Sequence, residues 1–165
     1  MRYLIVGYGN IGHKRAAVLG KKFVASFDPD SKANATYKNL KDIPPEIFDT
    51  AVLTVPQQNK VALTQHFLKL NKNVLVEKPL ILNRSQVKII VSSVKKSKGI
   101  LHTSYNHRYE PNIIKIEKLI KNGFLGKLYH ARFVYSFGNI RERIGTWRET
   151  EFGVLEEIIP HQLDF

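Results

Sequence analysis

The sequence predicts an α/β fold: a doubly wound parallel sheet followed by the start of an α+β open-sheet domain. Three observations predict it. Short β-branched apolar runs alternate with longer segments of helical period. A glycine-rich turn joins the first run to the first helical segment. Beyond residue 124 the alternation gives way to one long aromatic-rich segment. The 165 residues, 43% hydrophobic and 24% charged, suffice for one complete domain and part of another, since domains cluster at about 100–150 residues.

Residues 3–6, 23–27, 51–55, 73–76 and 100–105 read as strands. Near-continuous apolar runs of this length suit a parallel sheet buried on both faces. A helix is expected from Ile11 to Leu19, ending at Gly20, which tolerates a left-handed cap. Leu63, Phe67 and Leu70 stripe a second helix from Gln58, stopped by Asn71. Val87, Ile90, Val91 and Val94 recur at helical spacing over Arg84–Lys98, with Asn83 as cap and Gly99 as terminator. A further helix runs from Asn112 to Asn122 between Pro111 and Gly123. Between Asp28 and Asp49 the chain is too short for a comfortable crossover helix. Leu128–Phe137 reads as a long aromatic strand, which divides the chain into domains at 1–123 and 124–165.

Composition excludes several classes. With no cysteine, disulfide frameworks and thiolate metal sites are out, and no histidine has a partner at metal-ligand spacing. No apolar run approaches the roughly 20 residues of a membrane helix, and Met1–Gly7 lacks the pattern of a signal peptide, so a cytoplasmic protein without membrane association is expected. The net charge of +12 comes from lysines scattered through every element. Without an arginine-rich tract or an aromatic-interleaved basic stripe, it describes a solvated surface rather than a nucleic-acid site.

Gly7-Tyr8-Gly9-Asn10-Ile11-Gly12 is a G-x-G-x-x-G between a strand and a helix. Gly7 permits the tight turn, Gly9 lets backbone approach a pyrophosphate, and Gly12 lets the helix pack on the strand. The first-turn residues Asn10, Ile11 and Gly12 then offer N–H groups and a positive dipole end to phosphate. Asp28 closes the next strand, 21 positions after Gly7. A carboxylate there accepts a hydrogen bond from an adenine-ribose 2′-hydroxyl and repels a 2′-phosphate. The sheet is therefore expected to be Rossmann-type, with NAD as cofactor in preference to NADP.

At Val76-Glu77-Lys78-Pro79 a strand ends in Glu-Lys-Pro downstream of that turn. Tyr105–Pro111 carries N-x-R-x-x-P, Gly123–Lys127 carries G-x-[IL]-G-[EK], and Gly153–Asp164 follows G-V-L-x-D-x-x-x-H-x-x-D in part. In this order the motifs resemble those of the glucose–fructose oxidoreductase / inositol dehydrogenase (Gfo/Idh/MocA) family. The resemblance implies hydride transfer between nicotinamide and a hydroxyl-bearing carbon of a sugar, cyclitol or nucleotide sugar. It implies that Lys78 sits at the nicotinamide end of the cofactor and hydrogen-bonds the reacting hydroxyl, that Glu77 and Pro56 lie beside the cofactor, and that His161 is the acid/base, supported by Glu157. Arg108 either anchors an anionic substrate or braces the domain junction. An aromatic C-terminal sheet could also pair with its twin in a homo-oligomer.

The sequence departs from the family pattern in places. Glu157 stands where Asp is usual, Ile159-Pro160 replaces a glycine and a small residue, and Lys60 stands where histidine is common. Members are also about twice as long, so the chain reads as truncated within its second domain. Two readings follow: an NAD-dependent oxidoreductase or its N-terminal half, and a non-catalytic dinucleotide-binding fragment or partner subunit.

Overall fold

Strand formation follows burial. In the computed structural model, which describes residues 1–132, 134 and 153–164, Leu4, Ile5 and Val6 are completely enclosed, and so nearly are all four residues of the third strand. The strands are β1 (Tyr3–Val6), β2 (Phe23–Phe27), β3 (Thr50–Leu53), β4 (Asn73–Glu77) and β5 (Leu101–Ser104). They form one sheet in the order β2-β1-β3-β4-β5. Every pairing is parallel, with Leu4 opposite Ala51, Val6 opposite Leu53 and Leu75 opposite His102. Apolar runs with no polar alternation are what a sheet covered on both faces requires.

Chain direction through the sheet reverses beside β1. From β1 the chain steps outward to β2, then crosses to β3 on β1's other flank. That crossover has no α-helix. It is built from two 3-10 turns, Leu40–Asp42 and Pro45–Ile47, and from Tyr37, which forms an isolated bridge with Phe27. The N-x-R-x-x-P segment follows β5 directly, its first residues forming a 3-10 turn at Asn106–Tyr109.

The helices begin and end largely as their residues dictate. α1 (Asn10–Leu19) stops at Gly20, whose φ of 52° is left-handed. α2 (Gln57–Lys69) is followed by Asn71 at φ 56°, the residue type that best tolerates that region after glycine. α3 (Arg84–Lys96) opens on a full capping box: Asn83 accepts from the Gln86 backbone, and the Gln86 side chain accepts from the Asn83 backbone. α3 ends two residues earlier than periodicity suggests, and Gly99 has a different task. A Cβ there would lie 2.1 Å from the Lys72 carbonyl oxygen, so Gly99 admits a close backbone approach rather than a helix cap. Of the expected α3 stripe, Ile90 is buried, whereas Val87 and Val91 are 44% and 46% exposed.

The core gathers on the sheet between α2 and the β2–β3 crossover. Phe48 meets Phe67 edge to face, with ring centroids 5.8 Å apart, and Lys72 Nζ donates to the Phe48 carbonyl at 2.9 Å. Met1–Ser104 forms one compact unit and Tyr105–Phe165 a second. The second holds a 3-10 turn at Asn106–Tyr109, α4 (Pro111–Lys121) and α5 (Gly153–Leu163), with Pro160 inside α5. Residues 128–132, read as the start of a strand, have no strand pairing, and most of 133–137 lies outside the described residues. The expectation of pairing through a C-terminal sheet also falls outside them. Among the described residues no helix is long and apolar enough to cross a membrane.

Asn83→Ala removes the acceptor that closes the α3 capping box. Urea unfolding should show a stability loss of about 1 kcal/mol.

Candidate dinucleotide site and the Glu-Lys-Pro turn

Three glycines in the turn after β1 meet three different steric conditions. Gly7 has a φ of 91°, and a Cβ on it would sit 2.7 Å from the Thr54 carbonyl oxygen. A Cβ on Gly12 would lie 2.3 Å from the Gly7 carbonyl oxygen, so only glycine lets α1 rest on the turn. A Cβ on Gly9 would meet nothing within 4 Å. That open side belongs to a cavity of 610 Å³ lined by Gly7, Gly9, Asp28, Thr54, Val55 and Pro56 among others, a volume usual for a small-molecule site. Pro56 is the residue immediately before α2 there.

The cavity lies at the carboxyl ends of the strands, where the chain changes direction beside β1. Ligands of open α/β sheets bind at such a switch point. No side chain caps the N-terminus of α1, which leaves the first-turn N–H groups of Asn10, Ile11 and Gly12 to other acceptors. Asp28 Oδ2 accepts from Tyr8 N at 2.7 Å and Oδ1 from Asp30 N at 2.9 Å. A carboxylate has about four acceptor positions, so each oxygen keeps capacity for a sugar hydroxyl. Thr54, which sequence reasoning missed, holds the turn from beneath: its hydroxyl donates to the Gly7 carbonyl and its N–H to Val6 O at 2.8 Å. An open glycine, an uncapped helix start and an acidic strand end fit a dinucleotide's phosphates and ribose.

The Glu77-Lys78-Pro79 turn ends β4, with the Lys78–Pro79 peptide cis. Glu77 is held by Arg15 of α1, whose Nε donates to Oε1 and whose second nitrogen pairs with the same oxygen. That nitrogen also donates to Ser104 Oγ at 2.9 Å, tying α1 to the ends of β4 and β5. Lys60 of α2 is only 3% exposed, and its Nζ donates to the carbonyls of Glu77, at 2.7 Å, and Pro79. Burial pushes the Lys60 ammonium down to about 8, Glu77 opposing that shift and Lys78 adding to it. Arg15 carried no signal in the sequence beyond its place on α1. Lys60 carried one, as a departure from the family's histidine.

In the second unit Arg108 grips Asp164 through two nitrogens, Nε meeting Oδ2 at 2.7 Å, and this contact raises the guanidinium's already high pKa. The His161 ring stands 4.1 Å from that of His107 and edge-on to Tyr105 at 6.3 Å, and His107 Nδ1 lies 3.2 Å from Glu110. The segments at 105–111 and 153–164 are thereby brought together. The Glu157 side chain lies outside the described residues. Among the described residues no three His, Asp or Glu side chains converge as metal ligands.

A parallel sheet with a glycine turn at its switch point, and an acidic residue closing the neighbouring strand, defines a Rossmann-type dinucleotide-binding domain. The chain belongs to the GFO_IDH_MocA oxidoreductase family with an NAD-binding Rossmann fold, whose profile matches residues 1–105. It is similar to myo-inositol 2-dehydrogenase of Thermotoga maritima, 39% identical over 39% of this chain and 19% of the relative. It is 25% identical to the Escherichia coli oxidoreductase YdgJ over 99% of this chain and 52% of that protein. The WlbA dehydrogenase of Bordetella pertussis, solved in complex with NADH and UDP-GlcNAcA, shares the fold. Its TM-score is 0.69 at 20% identity, over 78% of this chain and 44% of that one. The chain thus spans about half, or less, of the length of these relatives.

Gly9→Ala separates ligand space from folding space. Its melting temperature should stay near that of the wild type, while the NADH dissociation constant rises at least about tenfold in a fluorescence titration. Gly12→Ala should instead lower the melting temperature, because its methyl group collides with the turn itself.

Proposed function

We propose that the protein is an NAD-dependent oxidoreductase that transfers hydride between nicotinamide and a hydroxyl-bearing carbon of a sugar, cyclitol or nucleotide sugar. One observation carries the reading: the open face of Gly9 and the carboxylate of Asp28 share one cavity at the switch point of a family-typical NAD-binding sheet. The substrate class is supported by relatives, whose names include a myo-inositol dehydrogenase and a dehydrogenase bound to UDP-GlcNAcA. The net charge of +12 leans toward phosphorylated or nucleotide-linked sugars.

NAD, when bound, supplies a nicotinamide C4 that accepts or returns the hydride. The chain's residues handle the proton and the orientation. Asn10, Ile11 and Gly12 present backbone N–H groups to the pyrophosphate. Asp28 accepts the adenine-ribose hydroxyls and repels a 2′-phosphate. The Lys38 ammonium, a natural answer to such a phosphate, is engaged by the carbonyls of Asp30 and Ala33. Glu77 and Pro56 border the cofactor.

Lys78 donates a hydrogen bond to the reacting hydroxyl and stabilises the negative charge that grows on its oxygen. His161 takes the hydroxyl proton during oxidation and returns it during reduction, with Glu157 four residues earlier on α5 orienting the imidazole. Arg108 contributes to substrate binding by way of its anchored side chain: the bidentate contact with Asp164 fixes the guanidinium's direction. Residues 124–165 belong to the substrate domain.

Titration of the protein's fluorescence with NADH and NADPH tests the cofactor reading. NADH should bind the more tightly, and Asp28→Ser should narrow the gap; equal binding in the wild type would sink the preference. In a substrate screen over cyclitols and nucleotide sugars, Lys78→Ala should lower turnover by about 10²–10⁴-fold with NADH binding intact. Binding of NADH without turnover of any of these substrates would favour a non-catalytic dinucleotide-binding subunit.

A further inference from the structure

The carbonyls on either side of Lys78 have an unusual partner. β3 ends opposite Val76, through Leu53, so that flank of β4 has no strand to pair with from Glu77 onward. A buried carbonyl left without a donor costs stability comparable to a lost hydrogen bond. Here the donor arrives from α2. A single Lys60 ammonium reaches both the Glu77 carbonyl and the Pro79 carbonyl, bracketing Lys78 between two charge-assisted bonds. Lys60 is almost fully enclosed, which confines its three N–H donors to a few geometries. Lysine is rarely buried to this extent unless its charge is answered. Here it is answered by the turn itself.

We propose that Lys60 is a positioning residue, which sets the path of the Glu77-Lys78-Pro79 turn and hence the environment of the Lys78 ammonium. The inference rests on the reading of Lys78 as the hydroxyl-binding group, but its structural half stands apart from it. Arg15 holds the Glu77 side chain from the other flanking helix, so Lys60 governs the backbone while Arg15 governs the carboxylate. α1, which starts from the glycine turn of the cavity, and α2, which lines the cavity, thus both grip the Glu77-Lys78-Pro79 turn. Lys60 touches neither substrate nor cofactor in this role and acts through Lys78.

The experiment compares wild type, Lys60→Met and Lys60→Gln by competitive amine labelling with acetic anhydride across a pH series. Modification of Lys78 is read by peptide mass spectrometry against exposed Lys21, and NADH affinity is read in parallel. Lys60→Met should change the Lys78 labelling rate by at least about threefold, the effect of half a pKa unit, and displace its pH profile. NADH affinity should remain within about twofold, because the glycine turn and Asp28 are untouched and Arg15 still holds the Glu77 carboxylate. Lys60→Gln, one bond shorter and unable to bridge both carbonyls, should shift the rate in the same direction by a smaller factor. It decides the matter if the methionine variant does not fold. An unchanged Lys78 rate and profile in the folded variants overturns the proposal. Labelling needs no substrate, so it remains decisive even if Lys78→Ala leaves turnover intact and the hydride-transfer reading fails.

Discussion

The contact between residue 12 and the carbonyl of Gly7 is the constraint on which the first unit depends. Any side chain at position 12 would occupy space that the turn's own backbone fills, with only 2.3 Å available. With glycine there, α1 lies against β1 with its N-terminus aimed past the strand ends. With anything larger, the helix must lift, and the cavity beside Gly9 loses one wall. Thr54 secures the same spot from β3's side by donating to the Gly7 carbonyl, so the turn is clamped between two strands and a helix. The site is shaped by a backbone approach that only glycine at position 12 permits.

From that anchoring point the geometry spreads to the other end of the cavity. α1 carries Arg15, and Arg15 ties Glu77 and Ser104 at the ends of β4 and β5. α2 begins at the cavity's rim and carries Lys60 into the backbone of the Glu77-Lys78-Pro79 turn. The helix that starts from the glycine turn and the helix that lines the cavity therefore also hold the turn bearing the proposed catalytic lysine. A buried cation is costly, and its retention here is explained by carbonyls that no strand is placed to satisfy.

The abundant positive charge falls mostly elsewhere. Most lysines are exposed, while Lys60 and Lys72 point inward, each capping backbone carbonyls. In the second unit, Arg108 and Asp164 join two segments that are far apart in sequence, and the rings of His107 and His161 come together beside them. A residue singled out for substrate binding is thus also a structural brace, since the same fork-shaped group serves carboxylates of protein and ligand alike.

Much of this was legible in the residues. The apolar runs located five strands, because burial on both faces leaves no polar alternation, and Asn83, Gly20 and Asn71 marked helix ends through local backbone chemistry. Gly7, Gly9, Gly12 and Asp28 pointed to a dinucleotide site through their spacing together with their place between strand and helix. Other features were not local. Periodicity ran α3 on to Lys98 and gave Gly99 to its end, whereas Gly99 serves the distant Lys72 carbonyl. The valines at 87 and 91 had the spacing of a core stripe, but a stripe is buried only where another element covers it. The sequence by itself determined the strands, the glycine turn and the acidic strand end, since these depend on a few neighbouring residues. Only the tertiary structure decided that Arg15 and Lys60 hold the Glu-Lys-Pro turn, because those contacts span 62 positions for Arg15–Glu77 and 17 to 19 for Lys60. They exist only once α1, α2 and β4 have been packed side by side.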